Sequence, residues 1–166
     1  PLPKVSFSGG ATNKRIHSPE DGSGVGAYLV TSFLRTMDEL GIQVMYDTRA
    51  TSLMTLDGTV VGVQASSDSA NYTIRAKAVI LATGGFGNNE DMVVHYKPDL
   101  KGTVTTSAPG VTGDGILMAE AVGADLVDID QIQLHPTVEQ STSMLITEGV
   151  RGDGAILVNQ SGKRFV

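Results

Sequence analysis

The stretch from Leu134 to Gly154 gathers more reactive side chains than any other part of the chain. It reads Leu134-His135-Pro136-Thr137 and then Thr147-Glu148-Gly149-Val150-Arg151-Gly152-Asp153-Gly154. His and Arg donate to carboxylate oxygens, Arg can do so bidentately, and a Thr hydroxyl adds a third kind of donor. Glu148 and Arg151 are three apart, close enough to pair on one helical turn or around a tight loop. Glycine-punctuated loops on a rigid scaffold often carry function. A surface ion pair and a capping histidine account for the same residues, and the spacing alone does not choose between the two.

Two glycine clusters bear on ligand binding. Ala82-Thr83-Gly84-Gly85-Phe86-Gly87 follows an apolar run, and glycines at the carboxyl end of a strand let a backbone approach a ligand without a Cβ in the way. A sharp turn needing positive φ would use the same residues. Thr112-Gly113-Asp114-Gly115 opens a helical pattern. Capping and the helix dipole favour Asp114 there without any ligand; the functional alternative is that its flanking glycines bring backbone and carboxylate against one.

Several elements must position these groups. A loop is expected over residues 1–23, including Gly9-Gly10, then a helix from Ser23 or Gly24 to Leu40. Leu29, Phe33, Met37 and Leu40 form its apolar face, and Gly41 stops it. A short strand is expected at Ile42–Tyr46. A β-meander follows: Thr48–Leu56, the Asp57-Gly58 hairpin turn, Thr59–Ala65, a turn near Ser66–Ala70, and Asn71–Ala76. Ala78–Ala82 is continuously apolar and reads as a strand buried on both faces. Helices are expected at Asn88–Tyr96 and Gly113–Val122, a loop at Lys97–Val111, and strands at Leu126–Ile129 and Ala155–Asn159 before a Ser161-Gly162 turn.

Composition limits the function classes. The chain has 166 residues, 40% hydrophobic and 18% charged, which suits one globular domain. The net charge of -6 and the lack of a Lys/Arg stripe exclude a nucleic-acid-binding reading. With no Cys, disulfide and thiol chemistry are ruled out, and three scattered His offer no metal-ligand spacing. No apolar run reaches the roughly 18–20 residues of a membrane span. The chain opens in loop sequence and stops after a strand candidate, so it reads as an internal piece.

The segments taken together resemble the fumarate reductase/succinate dehydrogenase flavoprotein family, in its soluble flavocytochrome c-type form. The matching stretches are Gly22–Leu29, Ala78–Asn88, Thr112–Glu120, His135-Pro136-Thr137 and Thr147–Val166, in the family's order across essentially the whole chain. The resemblance implies an α/β (α+β) fold. Residues 1–125 would be a partial FAD-binding domain of glutathione-reductase type with a β-meander, and 126–166 the start of a substrate-capping region. It implies that FAD is held near Ala50, Thr83, Gly84 and Asp114, that His135 and Thr147 bind substrate carboxylates, and that Glu148 and Arg151 relay a proton. The implied reaction is hydride transfer from flavin N5 to fumarate or a similar unsaturated dicarboxylate.

The pyrophosphate loop, its ribose-binding acid and the proton-donating Arg are not among these residues. The piece by itself is therefore expected neither to hold FAD tightly nor to turn over; its partners would be a dicarboxylate substrate, the rest of its own chain and an electron donor that the sequence does not reveal. An L-aspartate oxidase or a urocanate reductase-like enzyme shares much of the pattern. A non-catalytic folding or binding module is the alternative of another class.

Overall fold

A computed structural model describes residues 2–7 and 12–165; the Gly9-Gly10 part of the expected first loop lies outside them. The chain divides into two compact units, Pro1–Val44 with Leu145–Val166, and Met45–Met144.

In the first unit, β1 (Lys4–Ser6) and β2 (Ile16–Ser18) pair antiparallel where only loop was expected. Three-residue strands are too short to show an alternation in sequence. α1 (Val25–Glu39) follows within a residue or two of its expected bounds. Its end is a Schellman motif: the Gly41 N–H donates to the Asp38 carbonyl at 3.0 Å, the Ile42 N–H donates to the Met37 carbonyl at 2.8 Å, and Gly41 has φ +66°. The apolar face is present, yet no residue of α1 is buried, and Phe33 is 61% exposed.

The second unit is organised by the meander β3 (Arg49–Leu56), β4 (Thr59–Ser66) and β5 (Asn71–Arg75), in that order across the sheet. Asp57 and Gly58 both have positive φ, which gives the hairpin a twist that matches its strands. The register between β3 and β4 slips between Ala50 and Ser52, so Thr51 is an extra residue, and its hydroxyl donates to the Gln64 carbonyl at 3.3 Å. A bulge of this kind re-aims the strand end that precedes it, here Arg49 and Ala50.

α2 (Glu90–Tyr96) is capped by the Asn89 side chain, which accepts from the Met92 N–H at 3.1 Å. A 3₁₀ turn, Pro98–Leu100, follows inside the expected loop, and then α3 (Asp114–Glu120). Met92, Val93, Leu100 and Met118 are the buried side chains around these helices, with Ala65 on the sheet. The two-residue strands β6 (Val138–Glu139) and β7 (Met144–Leu145) flank a turn that the Glu139 carboxylate ties together. α4 (Glu148–Gly152) belongs to the first unit, in a stretch that read as loop.

Four expected strands are not strands here: Ile42–Tyr46, Ala78–Ala82, Leu126–Ile129 and Ala155–Asn159. A strand exists only when a neighbouring backbone completes its hydrogen bonds. Among the described residues no segment pairs with the first three, and the fourth forms a single bridge between Val158 and Arg164. The apolar run expected to be buried is open instead, with Ile80 89% exposed. No helix of the described residues is long and apolar enough to cross a membrane.

Candidate functional site

Two of the glycine-rich loops are bolted together in the second unit. The Gly113 N–H donates to the Gly85 carbonyl at 3.0 Å, and the Asn88 N–H donates to the Val111 carbonyl at 2.9 Å. Both asparagine side chains add to this: Asn88 donates to the Pro109 carbonyl at 3.1 Å and Asn89 to the Thr112 carbonyl at 2.9 Å. Asn89 therefore caps α2 with its oxygen and holds the next loop with its nitrogen.

Glycine is required at the junction. Gly113 has φ +84°, and a Cβ there would lie 2.9 Å from the Phe86 Cβ and overlap the Met92 sulfur. At Gly115 a Cβ would overlap the Thr83 hydroxyl and lie 3.0 Å from its Cβ. Thr83 thus packs directly on the first turn of α3, one residue before Gly84, whose φ is +74°. Gly113 and Gly115 thus let Phe86, Met92 and Thr83 pack against the backbone at the start of α3, while Gly85 has no neighbour within 4 Å of where a Cβ would stand.

Asp114 does not cap α3. The cap residue is Gly113, with no side-chain capping bond. Instead the carboxylate is gripped by β3: Arg49 Nε donates to Oδ2 at 2.7 Å and Arg49 Nη2 to Oδ1 at 2.9 Å. The Thr112 hydroxyl donates to Oδ1 at 2.9 Å. The Arg49 hydrogen bonds hold the Asp114 carboxyl below its ordinary value, against partial burial, which pushes it up. A cleft of about 680 Å³ opens beside this clamp, lined by Arg49, Ala50, Ser66, Asp114, Leu117 and Val122. Ala50, Thr83, Gly84 and Asp114 all belong to this unit; Ala50 and Asp114 line one cleft, while Thr83 and Gly84 line neither cleft described here and belong to the loop hydrogen-bonded to the start of α3.

His135 lines a second cleft of about 590 Å³ in the same unit, with Asn88, Glu90, Thr103, Thr105 and Ser107. Its Nδ1 lies 3.3 Å from both the backbone N–H and the hydroxyl of Thr137. Thr147, Glu148 and Arg151 belong to the first unit. Thr147 occupies the N-cap position of α4, but its hydroxyl makes no capping bond. Glu148 opens the helix and Arg151 falls in its last turn, where each complements the helix dipole.

Sequence reasoning gave Arg49, Asn88 and Asn89 no role, and named Thr112 only as part of its glycine motif. Asn89 carried a readable signal, a capping residue before a helical pattern. Arg49 carried none, because its partner lies 65 residues away.

A family model described as FAD binding domain matches residues 5–166, and the chain belongs to that family. It is 46% identical over 165 residues to an NADH:fumarate oxidoreductase of Klebsiella pneumoniae (strain 342), covering 99% of this chain and 18% of that protein. It is 42% identical over 167 residues to a fumarate reductase (cytochrome) of Shewanella frigidimarina, covering 99% and 29%. A solved structure, the open conformation of a flavocytochrome c3 fumarate reductase, superposes with a TM-score of 0.85 at 39% identity, over 99% of this chain and 30% of that one. The mixed helix and strand architecture thus resembles the FAD-binding fumarate reductase fold. The chain spans less than a third of the length of each of these three proteins.

Proposed function

We propose that the chain is the part of an FAD-dependent oxidoreductase that grips the cofactor and supplies half of a dicarboxylate site, and that the whole protein reduces fumarate or a similar unsaturated dicarboxylate. The observation that carries the reading is the bolted pair of loops, Thr83-Gly84-Gly85 and Thr112-Gly113-Asp114, beside the Ala50 cleft. Its chemistry suits FAD: open backbone at Gly84 and Gly85 for close approach, a carboxylate gripped by Arg49, and room in the cleft beside Ala50. In this reading Ala50, Thr83, Gly84 and Asp114 hold the cofactor. We also assign the glutathione-reductase-type topology, with a cofactor domain over 1–125 and the start of a capping region over 126–166; the β3–β4–β5 meander supports it.

When bound and reduced by the protein's electron donor, FAD would supply the hydride. This chain's own residues bind and protonate. The His135 ring and the Thr147 hydroxyl each hold a substrate carboxylate. Fixed donors on the carboxylates meet the negative charge that develops as the double bond is reduced. Glu148 and Arg151, one turn apart, pass a proton toward the second alkene carbon. The similarity to proteins named as fumarate reductases supports the choice of substrate.

The test is oxidation of a reduced viologen dye by the full-length protein on adding fumarate. Turnover supports the reading. Silence with fumarate but turnover with urocanate or aspartate reassigns the substrate, and a full-length protein without flavin absorbance overturns the enzyme reading.

A further inference from the structure

We infer that Arg49 is a positioning residue for the cofactor: it acts through Asp114, fixing that carboxylate against the cleft between β3 and α3. The inference rests on the reading that FAD is held at Asp114.

An aspartate at the first position of a helix ordinarily turns back onto the free N–H groups of the first turn. Asp114 is turned outward instead, because the Arg49 fork takes both oxygens, at 2.7 and 2.9 Å. Two parallel bonds from a planar guanidinium stop the carboxylate from rotating, which a single ammonium cannot do. The Thr112 hydroxyl adds a third donor at 2.9 Å. An ionised carboxylate offers about four acceptor positions. Three are filled, and the fourth is left for a hydroxyl or N–H of a ligand in the cleft.

The sequence around Arg49 reinforces this role. The bulge at Thr51 sets the direction in which the start of β3 presents its side chains. The Arg49 side chain is 69% exposed and that of Asp114 27%. A pair this exposed contributes little to folding. Its use lies in where it puts the carboxylate, and Arg49 itself need not touch the ligand.

A double-mutant cycle on the full-length protein tests the inference, with the FAD dissociation constant of the flavin-stripped protein read by fluorescence titration. R49Q is expected to weaken FAD binding about tenfold, the loss of roughly one charge-assisted hydrogen bond. R49Q added to D114N is expected to weaken binding no further. R49K, which keeps the charge but loses the fork, is expected to restore only part of the affinity. Equal loss from R49Q in both backgrounds overturns the inference, as does full rescue by R49K. An unchanged affinity in R49Q while D114N is weakened overturns it too and leaves the cofactor reading intact. If D114N binds FAD as the parent does, the assignment of Asp114 falls and the inference with it. Should R49Q fail to fold, R49K carries the same comparison.

Discussion

Asp114 shows how little a residue type says until its partners are known. At the start of a helix it could be an ordinary dipole-complementing acid. The Arg49 fork makes it a fixed anion at the edge of a cleft. Its folded carboxyl is held below the ordinary 3.8, so the pair contributes stability above the unfolded value and loses it as pH falls through the lowered one. Because the pair is so exposed the effect is small: the urea midpoint of the protein is expected to fall only slightly more steeply in acid than that of D114N. At the substrate end, H135A is expected to lower kcat/KM for fumarate by about 10- to 100-fold in steady-state assays, the cost of one charge-assisted hydrogen bond. E148Q is expected to act mainly on kcat, by about 10²- to 10⁴-fold, as loss of a proton-transferring group does.

At the scale of elements, the contact between α3 and the loop before Gly84 decides whether the two loops can join. A methyl group at Gly115 meets Thr83, so Gly115→Ala is expected to destabilise the full-length protein by about 1–3 kcal/mol, read as a lower denaturant midpoint. The companion change Thr83→Ser removes part of the obstruction and is expected to recover some of that loss. The turn between β6 and β7 has its own anchor. Glu139 accepts from the hydroxyls and backbone N–H groups of Thr142 and Ser141. These bonds, that from the Thr142 hydroxyl foremost, bring its carboxyl from 4.5 to about 2. The turn is expected to stay ordered well below the usual carboxylate range and to loosen only as pH approaches that lowered value. Glu139→Gln should expose the Ser141 and Thr142 amides to faster hydrogen exchange at neutral pH.

At the scale of the molecule, His135 belongs to one compact unit and Thr147, Glu148 and Arg151 to the other. The buried apolar residues, Ala65, Met92, Val93, Leu100 and Met118 among those described, are few for a chain of this length. Ile80, Val127, Phe33 and Leu40 all stand open. The isolated 166-residue chain is accordingly expected to pass through gel filtration without flavin absorbance. The full-length protein should instead gain thermal stability with added FAD, about 2.7 kcal/mol at a hundredfold excess over Kd.

What could be read in advance was local. The end of α1 at Gly41, the Asp57-Gly58 turn and the meander each depend on residues near one another in sequence, and the chain records such choices directly. The ordered motifs also pointed to the family. The state of residues 78–82 could not be read, because an apolar run becomes a strand only when another backbone pairs with it, and none of the described residues does. Nor could the grip of Arg49 on Asp114 or the bond from Gly113 to Gly85, since each joins groups far apart in the chain. Hydrogen-bond geometry between distant residues is fixed by how the intervening elements pack, and no spacing rule along the sequence encodes it.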